Sequence, residues 1–255
     1  MINVIMHGCN GRMGQVIAGL LANDSQAKIV AGIDVSDHIK NTFPVFSSIN
    51  EFEGKADVII DFASSKAVDG LLDYCVRTKT PCVLCTTGLS KEQLQKVEDA
   101  AKQTAILKSA NMSLGINILM KLIKEAATVL APAGFDMEIV EKHHNQKLDA
   151  PSGTALALAD SINEEFDHEY EYVFDRSNRR QARPEKEIGI SAVRGGTIVG
   201  DHDVIFAGTD EVVTISHTAY SRAIFAKGAI QAAKFLAGKE PGYYDMSDVI
   251  DEIIK

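Results

Sequence analysis

Ile2-Asn3-Val4-Ile5-Met6-His7-Gly8-Cys9-Asn10-Gly11-Arg12-Met13-Gly14 begins as a short apolar run and ends in glycines spaced G-x-x-G-x-x-G. The apolar run fits a buried parallel strand. Met13, Val16, Ile17, Leu20 and Leu21 follow at helical spacing, so the glycines sit at a strand-to-helix turn. Such a turn lets the backbone approach a pyrophosphate while helix N-terminal amides point at its oxygens. Lys28 to Ile33 reads as a second strand ending at Asp34, about twenty residues beyond Gly14, where a ribose-binding acid belongs. The glycine spacing differs from the commoner G-x-G-x-x-G, and the competing reading is a plain turn with a solvent-facing Asp34. The strand before, the helix after and the acid at the right distance favour a nucleotide. A carboxylate accepts hydrogen bonds from a free ribose hydroxyl and repels a phosphate there. No Lys or Arg follows until Lys40, so NADH is favoured over NADPH. Arg12 either reaches the phosphates or lies on the surface.

Further along, Val58–Phe62, Cys82–Leu84 and Ala105–Lys108 read as strands. Ala67–Thr78, a Ser90-capped helix through Gln103, and Ser113–Leu130 read as the helices between and after them. This alternation predicts a doubly wound parallel sheet. From Phe135 the pattern changes. A strand Phe135–His143 and a helix Thr154–Phe166 are followed by strands Glu187–Val193, Thr197–Ala207 and Glu211–Ala219. The fold class expected is therefore α/β: a Rossmann-type parallel-sheet nucleotide domain plus an α+β substrate and oligomerisation domain with an open mixed sheet. The open face or edge would want covering, which favours self-association. Arg222–Leu236 returns to helix and is expected to pack on the first domain. The domains are placed at 1–113 with 223–255, and at 114–222.

The chain has 255 residues, a formal charge of -9 and four cysteines. An acidic excess argues against a nucleic-acid surface. No apolar run reaches bilayer length, and the N-terminus goes directly into Ile2–Met6 without a basic leader. Four cysteines in this length are not a disulfide scaffold, so reduced thiols and a cytoplasmic location are expected.

Glu141-Lys142-His143-His144-Asn145-Gln146-Lys147-Leu148-Asp149-Ala150-Pro151-Ser152-Gly153-Thr154-Ala155 packs two imidazoles, an ammonium and a helix-opening turn into one run. Buried without partners, such groups would cost several kcal/mol each, roughly. A small anion undergoing proton transfer has a use for them. Adjacent strand residues face opposite ways, so His143 and His144 need not share a role. The amides of Ser152-Gly153-Thr154 form an anion site. Metal binding is the weaker alternative, because no carboxylate or cysteine stands at ligand spacing; no metal is expected.

Gly8–Gly14, Cys85-Thr86-Thr87-Gly88, Ser109-Ala110-Asn111-Met112-Ser113, Glu141 through Thr154, Arg194-Gly195-Gly196 through Gly200-Asp201-His202, and Ser221-Arg222 occur in one order. Together they closely resemble the 4-hydroxy-tetrahydrodipicolinate reductase (dihydrodipicolinate reductase) family of lysine and diaminopimelate biosynthesis, nearly end to end. The resemblance implies NADH- or NADPH-dependent reduction of a small cyclic dicarboxylate, with loss of water, by a homotetramer. It also implies residue roles. Gly8, Cys9, Asn10, Gly11, Arg12 and Met13 would hold the pyrophosphate and Asp34 the adenosine ribose. Cys85, Thr86 and Thr87, with Ser109, Ala110, Asn111 and Met112, would line the nicotinamide end. His143 would be proton donor or acceptor and Lys147 a proton donor. His144, Gly153 and Thr154 would bind substrate carboxylates, and Arg222 would close the site from the hinge side. Two positions depart from the family's usual pattern: Cys85 stands for a glycine whose absence of a Cβ lets the cofactor close, and Met112 for a phenylalanine.

Other readings stand beside this one. Another two-domain nicotinamide dehydrogenase, acting on aspartate or a semialdehyde, shares the frame, although a thioester-forming enzyme would need a cysteine beside the histidines. A non-catalytic NADH sensor would need no proton donors. Cys82-x-x-Cys85 is read as structural thiols. The cluster Arg176, Arg179, Arg180, Arg183 and Lys186 is read as a solvated loop in preference to a flap over an anion. His202 and His217 are read as structural.

Overall fold

Each apolar run of the first hundred residues becomes a strand of one sheet. The computed structural model describes residues 1–254. In chain order its elements are β1 (Ile2–His7), α1 (Arg12–Leu21), β2 (Ala27–Ile33), β3 (Val45–Phe46), β4 (Val58–Asp61), α2 (Val68–Thr78), β5 (Cys82–Leu84), α3 (Lys91–Ala101), β6 (Ala105–Leu107) and α4 (Leu114–Leu130). These are followed by β7 (Asp136–His143), α5 (Gly153–Glu164), β8 (Glu171–Val173), β9 (Glu187–Arg194), β10 (Gly200–Ala207), β11 (Val212–Ala219), α6 (Ala223–Leu236), β12 (Gly242–Tyr244) and α7 (Met246–Ile254). The chain forms two compact units: residues 1–113 with the segment from Ala223 onward, and residues 114–222. Lys255, where the first expected domain ends, lies outside the described residues.

The first unit holds a seven-stranded sheet in the order β12-β6-β5-β4-β1-β2-β3, with its strand pairs parallel. From β1 the chain moves outward to β2 and β3. It then returns to β4 on the other side of β1 and moves outward again. The order therefore reverses between β1 and β4, and loops leaving the C-terminal ends of those strands border a crevice. Ile5, Ile59, Leu71, Leu84, Val97 and Ile106 are fully buried in one core on this sheet. α6 packs within this unit against α1, β4 and β5. It does so through Ala226, Ala229, Ala232 and Ala233. Gly228 on the same helix admits no side chain, since a Cβ there would lie 1.6 Å from the Met112 carbonyl oxygen.

The second unit holds a five-stranded mixed sheet, β11-β10-β7-β9-β8. β10 is antiparallel to β7 and β11, whereas β7–β9 and β8–β9 are parallel. β7 alternates strictly, burying Met137, Ile139, Glu141 and His143. β10 buries His202, Val204 and Phe206. Packed with α4 and α5, Met137, Ile139, Val204 and Phe206 form the core of this unit, at about 1.5–3 kcal/mol for each large apolar side chain withdrawn from water. β11 is mostly exposed along its length.

The parallel sheet and the mixed sheet agree with the sequence reading, which left β3, β8, β12 and α7 unassigned. Several elements are shorter than expected: the strand placed at Thr197 begins at Gly200, the helix placed to Phe166 ends at Glu164 and the helix placed through Gln103 ends at Ala101. The basic cluster divides: Arg180 and Lys186 are exposed, as in a solvated loop, while Arg176, Arg179 and Arg183 are held by carboxylates. Arg176 donates to Glu138 at 2.8 Å and to Glu187 at 3.1 Å, Arg179 pairs with Glu187, and Arg183 bonds Glu138 at 3.0 Å and Asp136 at 2.7 Å. These arginines fasten the neighbouring strands β7 and β9.

Candidate active site

The glycine loop is built by two close approaches. Gly8 has φ of +81°, in the left-handed region, and a Cβ there would sit 2.7 Å from the Phe62 carbonyl oxygen. A Cβ on Gly14 would fall 2.2 Å from the Gly8 oxygen, so the first turn of α1 can lie against the loop only because it is bare. Gly11 is the N-cap and supplies no capping side chain, leaving first-turn N–H groups for an anion. A cleft of about 470 Å³ opens here, lined among others by His7, Gly8, Gly11, Asp34, Phe62 and Lys66. The bare loop and the acid beside it fit a pyridine dinucleotide.

Asp34 ties the loop to β2. Its Oδ2 accepts from the Asn10 amide at 2.9 Å and its Oδ1 from the Ser36 amide at 3.0 Å. A carboxylate has about four lone-pair sites, so capacity remains for ribose hydroxyls. The Asn10 side chain donates to the Ser36 carbonyl and accepts from Asn41 at 2.7 Å. Arg12 is exposed on the first turn of α1 and Met13 is half-buried. Cys9 is fully buried. Burial, with the Asp34 charge nearby, pushes its thiol up to about 11, so it offers a ligand its backbone and no thiolate.

The loops after β5 and β6 leave the same sheet edge. The Cys85 amide donates to the Asp61 carbonyl at 3.0 Å and Thr86 Oγ1 donates to Asp61 Oδ2 at 2.6 Å. Burial and the Asp61 charge raise the Cys85 thiol, so it stays neutral. Thr87 is exposed. Asn111 and Met112 are buried, with Asn111 Oδ1 accepting from the Ser113 amide at 2.8 Å, while Ser109 and Ala110 are more open. Sequence reasoning passed over His7. Its Nδ1 lies 2.6 Å from Asp61 Oδ1, in register across β1 and β4. The signal was available: a histidine and an aspartate each end an otherwise apolar strand.

In the second unit, His143 is the last residue of β7 and is buried. Its Nδ1 stands 2.6 Å from Glu141 Oε2. Arg194 grips the same carboxylate with both terminal nitrogens, each at 2.7 Å, and the Ser152 amide donates to its Oε1 at 2.9 Å. Burial would raise the Glu141 carboxyl, but Arg194, His143 and the Ser152 amide outweigh it and hold the group below the usual range. Ser152 caps α5, its Oγ accepting from the Ala155 amide at 3.1 Å. The same oxygen shares a hydrogen bond of 3.1 Å with His202 Nε2. The His202 ring stands edge-on to His143, with centroids 5.2 Å apart. Burial and the neighbouring His143 lower its pKa to about 4, so it is neutral at physiological pH. Its Nδ1 is buried without a protein partner.

His144 lies just past the strand and is half-buried, and Gly153 and Thr154 open α5. Lys147 Nζ is 2.9 Å from Asp149 Oδ1. That contact, ahead of a smaller contribution from the Gly153 amide, lowers the Asp149 carboxyl. Gly8, Gly11 and Asp34 thus share one cleft, while His143, Lys147, Gly153 and Thr154 belong to the other unit. Arg222 is exposed at the end of that second unit. Glu141, Arg194 and His202 were not named with the site by sequence reasoning: the first two bond His143 or its carboxylate partner, and His202, read as structural, is buried, bonded to Ser152 and packed edge-on to the His143 ring.

A glycine-loop parallel sheet, with a carboxylate-held histidine at the end of a strand of a separate mixed sheet and a lysine in the loop that follows, defines a two-unit pyridine-nucleotide oxidoreductase. The family model described as Dihydrodipicolinate reductase, N-terminus, matches residues 2–112, and that described as Dihydrodipicolinate reductase, C-terminus, matches residues 115–250. A 4-hydroxy-tetrahydrodipicolinate reductase of Caldanaerobacter subterraneus subsp. tengcongensis is 54% identical over 254 residues, covering 98% of each chain. One of Clostridium tetani is 47% identical over 251 residues, again covering 98% of each. Among solved structures, a dipicolinate-bound dihydrodipicolinate reductase from Paenisporosarcina sp. TG-14 is similar with a TM-score of 0.81 and 26% identity, covering 96% of this chain and 97% of that one. The chain belongs to the dihydrodipicolinate reductase family. It is an oxidoreductase that reduces 4-hydroxy-tetrahydrodipicolinate, with loss of water, in lysine and diaminopimelate biosynthesis, using a pyridine nucleotide. Among the described residues no helix is long and apolar enough to cross a membrane.

Proposed function

We propose that this reductase favours NADH over NADPH, binds the nucleotide on residues 1–113 with 223–255, and holds its substrate on residues 114–222. The observation that carries the cofactor reading is Asp34, whose carboxylate lines the cleft beside the bare loop of Gly8 and Gly11. A negative charge there repels a 2′-phosphate. Lys66 on the same cleft keeps NADPH as a weaker alternative. Initial rates with each nucleotide test this: kcat/KM for NADH is expected to exceed that for NADPH by about tenfold or more, and Asp34→Ser to narrow the gap. A preference for NADPH in the intact enzyme would reject the Asp34 argument.

Within the nucleotide unit, Gly8, Cys9, Asn10, Gly11, Arg12 and Met13 hold the pyrophosphate through the loop and helix N-terminus, and Asp34 the ribose. Cys85, Thr86, Thr87, Ser109, Ala110, Asn111 and Met112 line the nicotinamide end; Arg222, the last residue of the other unit, closes the site from the hinge side. When bound, the reduced nicotinamide supplies the hydride. The protein's own part is proton transfer and charge. His143 donates or accepts a proton, Lys147 donates one, and His144, Gly153 and Thr154 bind the carboxylates, stabilising charge where it develops. A small dicarboxylate agrees with the dipicolinate bound by the Paenisporosarcina protein.

The working unit in this reading is a homotetramer in the cytoplasm. The exposed strand β11, carrying Val212 and Val213 at the sheet edge, supports self-association. Four free cysteines suit a reducing compartment. Light scattering on the purified enzyme is expected to read four chains per particle; a monomer would remove this assignment.

A further inference from the structure

We infer that Glu141 is a positioning residue for the reaction: held by Arg194, it locks His143 with its proton on Nδ1, so that Nε2, given room by the missing side chain at Gly200, is the nitrogen that exchanges a proton with substrate. The inference rests on the assignment of proton transfer to His143 and names the atom and the device that selects it.

Apart from His143, the partners of the Glu141 carboxylate are all donors. Arg194 gives two N–H groups and Ser152 its amide, and neither can accept. The carboxylate is therefore ionised, and the nitrogen 2.6 Å from Oε2, His143 Nδ1, must present a hydrogen. A neutral imidazole has one N–H, so the neutral ring keeps its proton on Nδ1 and its lone pair on Nε2. When the ring is cationic, the Nε2–H bond is the one that breaks. The proton passes to the substrate, the electron pair stays on Nε2, and solvent restores the proton later. Two-residue spacing on β7 puts Glu141 and His143 on one face, and strand register places Arg194 directly beside His143 on β9. The acid, the imidazole and the guanidinium are thus fixed by sheet pairing and do not depend on loop closure.

Gly200 supplies the independent observation. It begins β10, and its φ lies outside the left-handed region, so its backbone does not require glycine. A Cβ there would stand 2.9 Å from His143 Nε2, tighter than ordinary contact. The glycine leaves unfilled the position beside Nε2 that the Cβ of any other residue would take.

The test reads the tautomer and the rate separately. In the intact enzyme labelled with 15N-histidine, long-range proton–nitrogen spectra of the neutral ring are expected to show His143 as the Nδ1–H tautomer, its signals assigned by their loss in His143→Ala. A Glu141→Gln enzyme, whose amide can donate to Nδ1, is expected to show the Nε2–H form and to lose about 10- to 100-fold in kcat, with KM for both substrates within about threefold. Gly200→Ala is expected to lower kcat by about tenfold or more while NADH binding is retained. An Nε2–H tautomer in the intact enzyme overturns the proposal even if Glu141→Gln does not fold. So does a folded Glu141→Gln enzyme with kcat within about twofold. If His143→Ala itself keeps full activity, the assignment of His143 fails, and that outcome is distinct from either of the others.

Discussion

Lys147→Ala is expected to lower kcat by about 10²- to 10⁴-fold, the range a positioned proton donor contributes, while NADH binding followed by fluorescence changes little. The separation follows from where the residue stands. Lys147 belongs to the loop between β7 and α5 in the second unit, and the nucleotide cleft is lined by residues of the first. His143→Ala is expected to fall in the same range. The double variant should lose less than the product of the two single losses, since groups that act on one proton inventory do not add. Steady-state rates with freshly prepared 4-hydroxy-tetrahydrodipicolinate measure all three. Full turnover by either single variant would remove that residue from the chemistry.

The largest effect on stability is expected from Arg194→Met. Glu141 has 0% exposure and Arg194 meets it with two hydrogen bonds. Removing one partner of a buried pair leaves an uncompensated charge and costs about 3–5 kcal/mol. Because the Arg194 side chain is 20% exposed and water can reach the gap, the lower end, about 3 kcal/mol, is expected. Urea unfolding followed by circular dichroism would read this as a lower midpoint, and an unchanged midpoint would contradict the account. The pair also sets an acid limit. The carboxyl of Glu141 is lower in the folded protein than its ordinary value. Its contribution is therefore present above the ordinary carboxylate range, about 4.3, and is lost as the pH falls through the folded value. In Arg194→Met that part of the acid dependence should shrink.

The nucleotide half was legible because its signals are local. β1, the glycine turn and α1 follow one another without interruption, and Asp34 ends the next strand. The second site was legible only along its loop. Glu141 stood in the quoted stretch, and its two-residue spacing from His143 on an alternating strand put it on the same face. His143 and Ser152, two of its partners, stood there too; the guanidinium that grips it and the second imidazole beside it did not. Arg194 is 53 residues away and arrives by the parallel pairing of β7 with β9. His202 lies directly across from Glu141 in the β7–β10 register. No periodicity within a single segment announces which strands will pair, so a histidine in a predicted strand read as structural. The strand β3 escaped because it has two residues, and β8 and β12 because Glu171-Tyr172-Val173 and Gly242-Tyr243-Tyr244 lack the continuous apolar run that marks the equally short β5 and β6.

Lys147 rests with its ammonium already neutralised by Asp149, a carboxylate from two positions further along the same loop. In the role proposed for Lys147, an arriving dicarboxylate would enter by exchange. It gains the difference between its own grip on the lysine and that of the resident anion, which at 59% side-chain exposure returns to water at little cost. A monoanion with nothing further to offer has small reason to trade places. A molecule whose second acidic group finds another berth does, and selectivity for doubly charged rings then arises from the competitor the chain carries with it.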